Sequence, residues 1–152
     1  MKSQIVIQPN VTIEVLQGGE VVKRQQVRNL VTASGLNVVR ELLLRGVKGT
    51  ATGYAPTHVA LGSGTTAASA SDAALVTENY RDAITVKSSA VATATFQLFL
   101  DTDVGNDLTF TEAGLFDSPT NGEMLSRVVF AEINKTSSIQ VAITWDINLA
   151  AS

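Results

Sequence analysis

The stretch SSIQVAITWDINL near the end of the chain restricts the fold more than any other. Ile139, Val141, Ile143, Trp145, Ile147 and Leu149 take every second position, and Gln140, Ala142, Thr144, Asp146 and Asn148 lie between them. A helix would scatter those six apolar groups around its circumference, whereas a strand puts them on one face. The stretch is therefore a strand with one face buried and the other wet or against a partner. Such a face needs other sheet material to cover it, and the rest of the chain offers that.

SAVATATFQLFL alternates in the same way, with Ala92, Ala94, Phe96, Leu98 and Leu100 on one face. Ahead of it, YRDAITVK is rich in β-branched residues and ends in Ser88–Ser89, so a hairpin is expected. LTFTEAGLFD and MLSRVVFAEI flank SPTNGE, whose Pro119 and Asn121–Gly122 carry turn chemistry. VTIEVL and EVVKRQQV sit either side of Gly18–Gly19, and THVALG is a further short strand. That makes about eight strands, mostly linked as hairpins. One segment departs from the pattern. In TASGLNVVRELLLRG, Thr32 or Ser34 is an N-cap, and Leu36, Val39, Leu42 and Leu43 recur at helical spacing. Gly46 suits the position just past the end. The expectation is one α-helix near residues 34–45, with GVKGTATGYAP a loop after it. Hairpin-linked strands with a single helix imply a mainly β, antiparallel β-sandwich, jelly-roll-like.

Length and composition support one domain over residues 1–152, with residues 1–10 as an N-terminal arm set off by Pro9–Asn10. A frayed terminus or an added edge strand is the alternative for that segment. Charged residues are 16% of the chain, against roughly a quarter in an ordinary domain. Small and hydroxyl-bearing residues fill the difference, as suits a surface that faces other protein. Net charge is −3, from 11 basic and 14 acidic residues well mixed, and no basic cluster marks a nucleic-acid footprint. There is no cysteine, which excludes thiolate chemistry and cysteine-ligated zinc. MKSQIVIQPNVTIEV does not read as a signal peptide, and no apolar run nears the roughly 18 residues of a membrane span. The expectation is a soluble protein.

Four constellations invite chemistry. In HVALGSGTTA, Gly62, Gly64 and Ala67 spell G-x-G-x-x-A, with Asp82 downstream as a ribose acid. A dinucleotide fold needs a helix after those glycines and a parallel sheet around them. Here strands and hairpins follow, and Asp82 falls in a strand pattern with Tyr80, Ile84 and Val86. The motif therefore reads as a flexible turn leaving a strand, and no cofactor is expected. In DTDVGNDLTFTE, Asp101, Asp103, Asp107 and Glu112 fall at calcium-loop positions. The glycine is one place early, at Gly105 with Asn106 next, so an acidic hairpin loop is expected in place of a metal site. His58 is the only histidine and reads as a structural residue at a strand start. Paired carboxylates for a glycosidase-type hydrolase are not excluded, but the few aromatics (Phe96, Phe116, Phe130, Trp145) look committed to core strands. No catalytic, cofactor-binding or metal-binding residue is assigned, and the chain is expected not to be an enzyme.

Four pieces, taken in order, carry a resemblance: N-L-V-T-x-x-G at Asn29–Gly35, H-x-A-L-G-x-G-T-T at His58–Thr66, E-A-G-L-F at Glu112–Phe116, and W-x-I at Trp145–Ile147. The chain resembles a family of small structural proteins of tailed bacteriophages, found as tail, neck or head-surface components. The resemblance implies a non-enzymatic virion protein, assembled in the host bacterial cytoplasm. Its partners would be other virion proteins and copies of itself, with no nucleic acid and no membrane. An accessory tail or neck protein of collar or fibre type ranks first. A capsid decoration protein on the phage head comes second, and a carbohydrate-binding module in host attachment third.

Overall fold

The computed structural model describes residues 5–45 and 55–151. Ten strands and one helix follow in the order β1 (Ile5–Gln17), β2 (Glu20–Arg28), β3 (Leu30–Val31), α1 (Ala33–Arg45), β4 (His58–Gly62), β5 (Glu78–Ala83), β6 (Val86–Ala90), β7 (Thr93–Leu100), β8 (Thr109–Phe116), β9 (Met124–Asn134) and β10 (Gln140–Ala151). They form two five-stranded sheets, β2-β1-β10-β7-β6 and β3-β9-β8-β4-β5. Every observed pairing is antiparallel. The architecture is a β-sandwich. Its core is the set of inward positions that alternation singles out: Val11, Ile13 and Val15 of β1, Leu98 and Leu100 of β7, and Val141, Ile143 and Trp145 of β10. These meet Val59, Leu61, Phe110, Leu115, Val128 and Ile133 of the second sheet. Phe116, Phe130 and Trp145 are buried, and Phe96 packs half-buried against the core.

The strand count exceeds the expected eight because the chain changes sheets in mid-course. YRDAITVK is split: β5 belongs to one sheet and β6 to the other, with Ile84 bonded to Thr57 and Thr85 to Gln97 at the bend. The turn that follows falls at Val91–Ala92, with Val91 at φ 26°, so Ser88 and Ser89 lie inside β6. On the other side β2 crosses into β3 through Asn29. Corners of this kind join the sheets along both sides of the sandwich. Local turn chemistry holds as expected: Gly18 and Gly19 both have positive φ (60° and 83°), as do Asn121 and Gly122 (54° and 77°).

Of the expected arm, residues 1–4 lie outside the described residues, and residues 5–10 form a strand. They are the first half of β1, paired with β10 from Ile5↔Ala151 to Asn10↔Asp146. Pro9 is compatible because its carbonyl accepts from the Asn29 N–H, 3.3 Å away, on the side away from β10. The missing proline N–H therefore points to that side too, and no bond to β10 is lost.

The helix starts where expected, with Thr32 as its cap. The Thr32 Oγ1 accepts from the Gly35 N–H at 3.0 Å and donates to the Met124 carbonyl. Its rotation differs from the expected one. Val38 is buried and Val39 half-buried, while Leu36 and Leu43 are exposed. The reason is Gly35: a Cβ there would lie 2.1 Å from the Leu125 carbonyl oxygen, so only glycine lets the helix backbone rest on β9. That contact turns the leucine stripe outward. The Leu42 side chain and residues 46–54, which include Gly46 and most of the expected loop GVKGTATGYAP, lie outside the described residues.

Candidate functional site

The outer face of the second sheet, which a sandwich normally leaves wet, is covered by the chain between β4 and β5. β8 is consequently buried along almost its full length. Ala60, Leu75, Phe116 and Met124 make a small second core beneath this loop. Beside it lies a buried ion cluster. Glu112 of β8 is 0% exposed and Arg127 of β9 is 1% exposed. In the β8–β9 register Arg127 stands opposite Gly114, which makes it a diagonal neighbour of Glu112. The Arg127 Nε donates to Glu112 Oε2 at 2.9 Å, Nη2 lies 2.9 Å from the same oxygen, and Nη1 donates to Asp72 Oδ2 at 2.8 Å. Arg127 also reaches the carbonyls of Thr66 (2.9 Å) and Ala67 (3.4 Å).

The glycine turn closes this cluster. Backbone N–H groups of Gly64 (3.0 Å), Val76 (3.1 Å) and Thr77 (2.8 Å) all donate to the Glu112 carboxylate. Three converging N–H groups with a cation behind them form an anion hole, and the anion is the protein's own side chain. The spacing of the glycines follows from that. A Cβ at Gly64 would come within 2.5 Å of Glu112 Oε1, and one at Gly62 within 2.3 Å of the Thr77 carbonyl oxygen. The motif therefore does cradle a negative charge, but not a dinucleotide: no helix follows Ala67, and Asp82 lies on β5, where it accepts from the Tyr80 hydroxyl. The expected flexible turn is in fact a fixed one, held from Thr66 to Thr77 by Arg127 and Glu112. Thr111 adds a bond to the Gly64 carbonyl at 2.9 Å, and the Ala33 N–H donates to Ala70 at 2.8 Å, tying the loop to α1.

The electrostatics are consistent with this geometry. Burial works to raise the Glu112 pKa, but the N–H groups of Thr77 and Val76, then Arg127 and Gly64, outweigh it and hold the carboxyl below its ordinary value. Asp72 is likewise lowered: desolvation pushes up, and the Ser69 N–H and Arg127 pull down further. With both carboxyls held below their ordinary range, Glu112 and Asp72 are carboxylates at neutral pH, and the cluster is a charged strut.

The acidic loop 101–107 is built around a different cation. Lys135 is 1% exposed, and its Nζ donates to Asn106 Oδ1 (2.9 Å) and the Thr136 carbonyl (3.0 Å). Desolvation lowers its pKa, against the pull of Asp101 and Asp103. Asp101 bonds Gln140 and the Thr102 N–H, and Glu112 has no partner in this loop. Among the described residues no three Asp, Glu or His side chains converge as metal ligands. His58 is half-buried at the start of β4, with Nδ1 2.8 Å from Thr57 Oγ1.

The outer face of the first sheet curls into a polar trough of about 610 Å³ lined by Asn10, Thr12, Gln26, Arg28, Asp146 and Asn148 among others. Cross-strand bonds hold its floor: Thr93 to Asn148 and Thr95 to Asp146 at 2.6 Å each, and Gln97 to Thr144 at 2.9 Å. No helix among the described residues is long and apolar enough to cross a membrane. No protein-family profile, no curated protein and no solved structure matches this chain.

Proposed function

We propose that this chain is a non-enzymatic structural component of a tailed bacteriophage virion, an accessory tail or neck protein that works through protein–protein contacts. The observation that supports the reading is where the resembling residues lie. Asn29–Gly35 makes the sheet crossing and the helix cap, and His58–Thr66 with Glu112–Phe116 builds the strand pair and the anion hole that fix the covering loop. Trp145 lies fully buried in the core, and Ile147 packs against it. Each piece serves to make one rigid sandwich with both sheets dressed for contact. This is what a particle component needs, because a subunit that holds its shape gives up little conformational freedom on assembly.

The test is copy number in purified particles of the encoding phage, by quantitative mass spectrometry. About six to twelve copies accords with a tail or neck ring, and hundreds with decoration of the head. Absence from particles sinks the class. A carbohydrate-binding role calls for an aromatic platform, and the trough on the first sheet has no aromatic ring in its lining. A glycan array on the purified protein checks that alternative.

A further inference from the structure

Where β2 leaves the first sheet at Arg28, the neighbouring strand loses its partner. β1 pairs with β2 only from Asn10 onward, while its pairing with β10 runs back to Ile5. The vacancy is a notch of about 280 Å³ lined by Ile7, Gln8, Pro9, Asn10, Arg28 and Asn29. Three features of it point to an occupant. First, the Pro9 carbonyl faces the notch side, where it takes the Asn29 N–H. Backbone groups alternate along a strand, so the Ile7 N–H and C=O face the same way, and no described strand pairs with them there. Second, both amide atoms of Asn29, a donor and an acceptor, are shielded from water and have no hydrogen-bond partner among the described residues. Leaving such a group unsatisfied costs about 1–3 kcal/mol, so its retention calls for an explanation. Third, Arg28 is exposed and makes no ion pair or side-chain hydrogen bond among the described residues.

From this geometry we propose that the notch receives an extended segment of a different protein carrying an acidic side chain, added as a strand along residues 5–9. The backbone of Ile7 pairs with the incoming strand, the Asn29 amide rotates out of its shielded position to offer that strand a donor and an acceptor, and Arg28 takes the carboxylate. A second copy is the poorer occupant. Pairing of two copies along this edge brings residues 5–9 together, and Ile5, Val6, Ile7, Gln8 and Pro9 offer Arg28 no carboxylate. The inference does not depend on the virion reading, since it concerns peptide binding by the isolated protein.

The experiment is an NMR titration of the ¹⁵N-labelled protein with the peptide acetyl-SVTDVTS-amide and with its counterpart bearing lysine in place of aspartate. The acidic peptide is expected to shift the Ile7 amide and the Asn29 side-chain amide, and to bind about two- to fivefold more tightly than the lysine form. Ile7→Pro removes the N–H that faces the notch without touching a bond to β10, so it should abolish the shift of the Asn29 side-chain amide while the circular dichroism stays that of a folded sandwich. Arg28→Gln is the second variant: it should keep binding and lose the preference for the acid. The proposal is overturned if neither peptide shifts Ile7 and Asn29, or if shifts fall on the β6 edge instead. It is also overturned if Arg28→Gln leaves the preference intact, or if sedimentation shows self-association that Ile7→Pro removes.

Discussion

Replacing Glu112 by glutamine changes one oxygen to an amide nitrogen and hardly changes volume, so it isolates the charge of the buried cluster. The carboxylate accepts from Gly64, Val76 and Thr77 and from Arg127 Nε, with the Arg127 Nη2 2.9 Å from the same oxygen. A glutamine has one acceptor oxygen; whichever way it turns, its NH₂ faces a group that is itself a donor. Arg127 keeps Asp72, which is partly exposed, but loses the partner that shares its burial. Breaking one side of such a pair costs about 3–5 kcal/mol, a large part of a domain's total of roughly 5–15 kcal/mol. In urea at neutral pH, Glu112→Gln should lower the midpoint by about 2 M for an m-value near 2 kcal/mol/M. The pH dependence gives a second reading. Because the folded pKa of Glu112 is depressed, its contribution is fully present above the unfolded value of about 4.3 and is lost as pH falls through the folded value. The variant has no such titration, so the gap between the two proteins should narrow as pH falls below the unfolded value. A loss under about 1 kcal/mol at neutral pH, or a gap that does not narrow in acid, would refute the account of Glu112 as the buried anchor of the loop.

Gly64→Ala drives a methyl into the same carboxylate and into Val76, both 2.5 Å away, and should cost about 1–3 kcal/mol and speed proteolysis between residues 63 and 77; unchanged cleavage would mean that the loop gives way freely. Tyr80 is pushed up to about 12 by desolvation and by its bond to Asp82. In ultraviolet titration Asp82→Asn should bring it down, and wild-type stability should fall as pH rises from about 10 through that value, because only the unfolded chain has shed the proton. Lys135→Met removes the cation inside the acidic loop and should speed amide exchange over residues 101–107. Since the folded Lys135 pKa is lowered, its contribution to wild-type stability improves as pH rises toward about 10.4, and that slope should vanish in the variant.

The antiparallel sandwich was legible because its signals are local. A period of two assigns Val141, Ile143 and Trp145 to the core whatever the partner sheet is, and Gly18–Gly19 and Asn121–Gly122 turn the chain by their own backbone preferences. The helix was legible for the same reason, down to its Thr32 cap. Its buried face was not, because rotation was decided by a contact between Gly35 and the backbone of a strand far along the chain. The same limit applied to β5 and β6, one run of strand-forming residues that the two sheets divide between them.

The glycines of HVALGSGTTA show the boundary most clearly. By itself the sequence determined that a strand ends there and gives way to a glycine-rich stretch whose backbone can be approached closely, since that follows from glycine's lack of a side chain. That this stretch meets an anion, and which one, was decided only by the tertiary structure. Glu112 stands 48 residues from Gly64, and Arg127 stands 55 from Asp72. Each looks like an isolated charge in an apolar strand until the β8–β9 pairing sets the two diagonally adjacent. A buried charge is tolerable only with its partner in place, and that partner is supplied by the sheet register, not by neighbours in sequence.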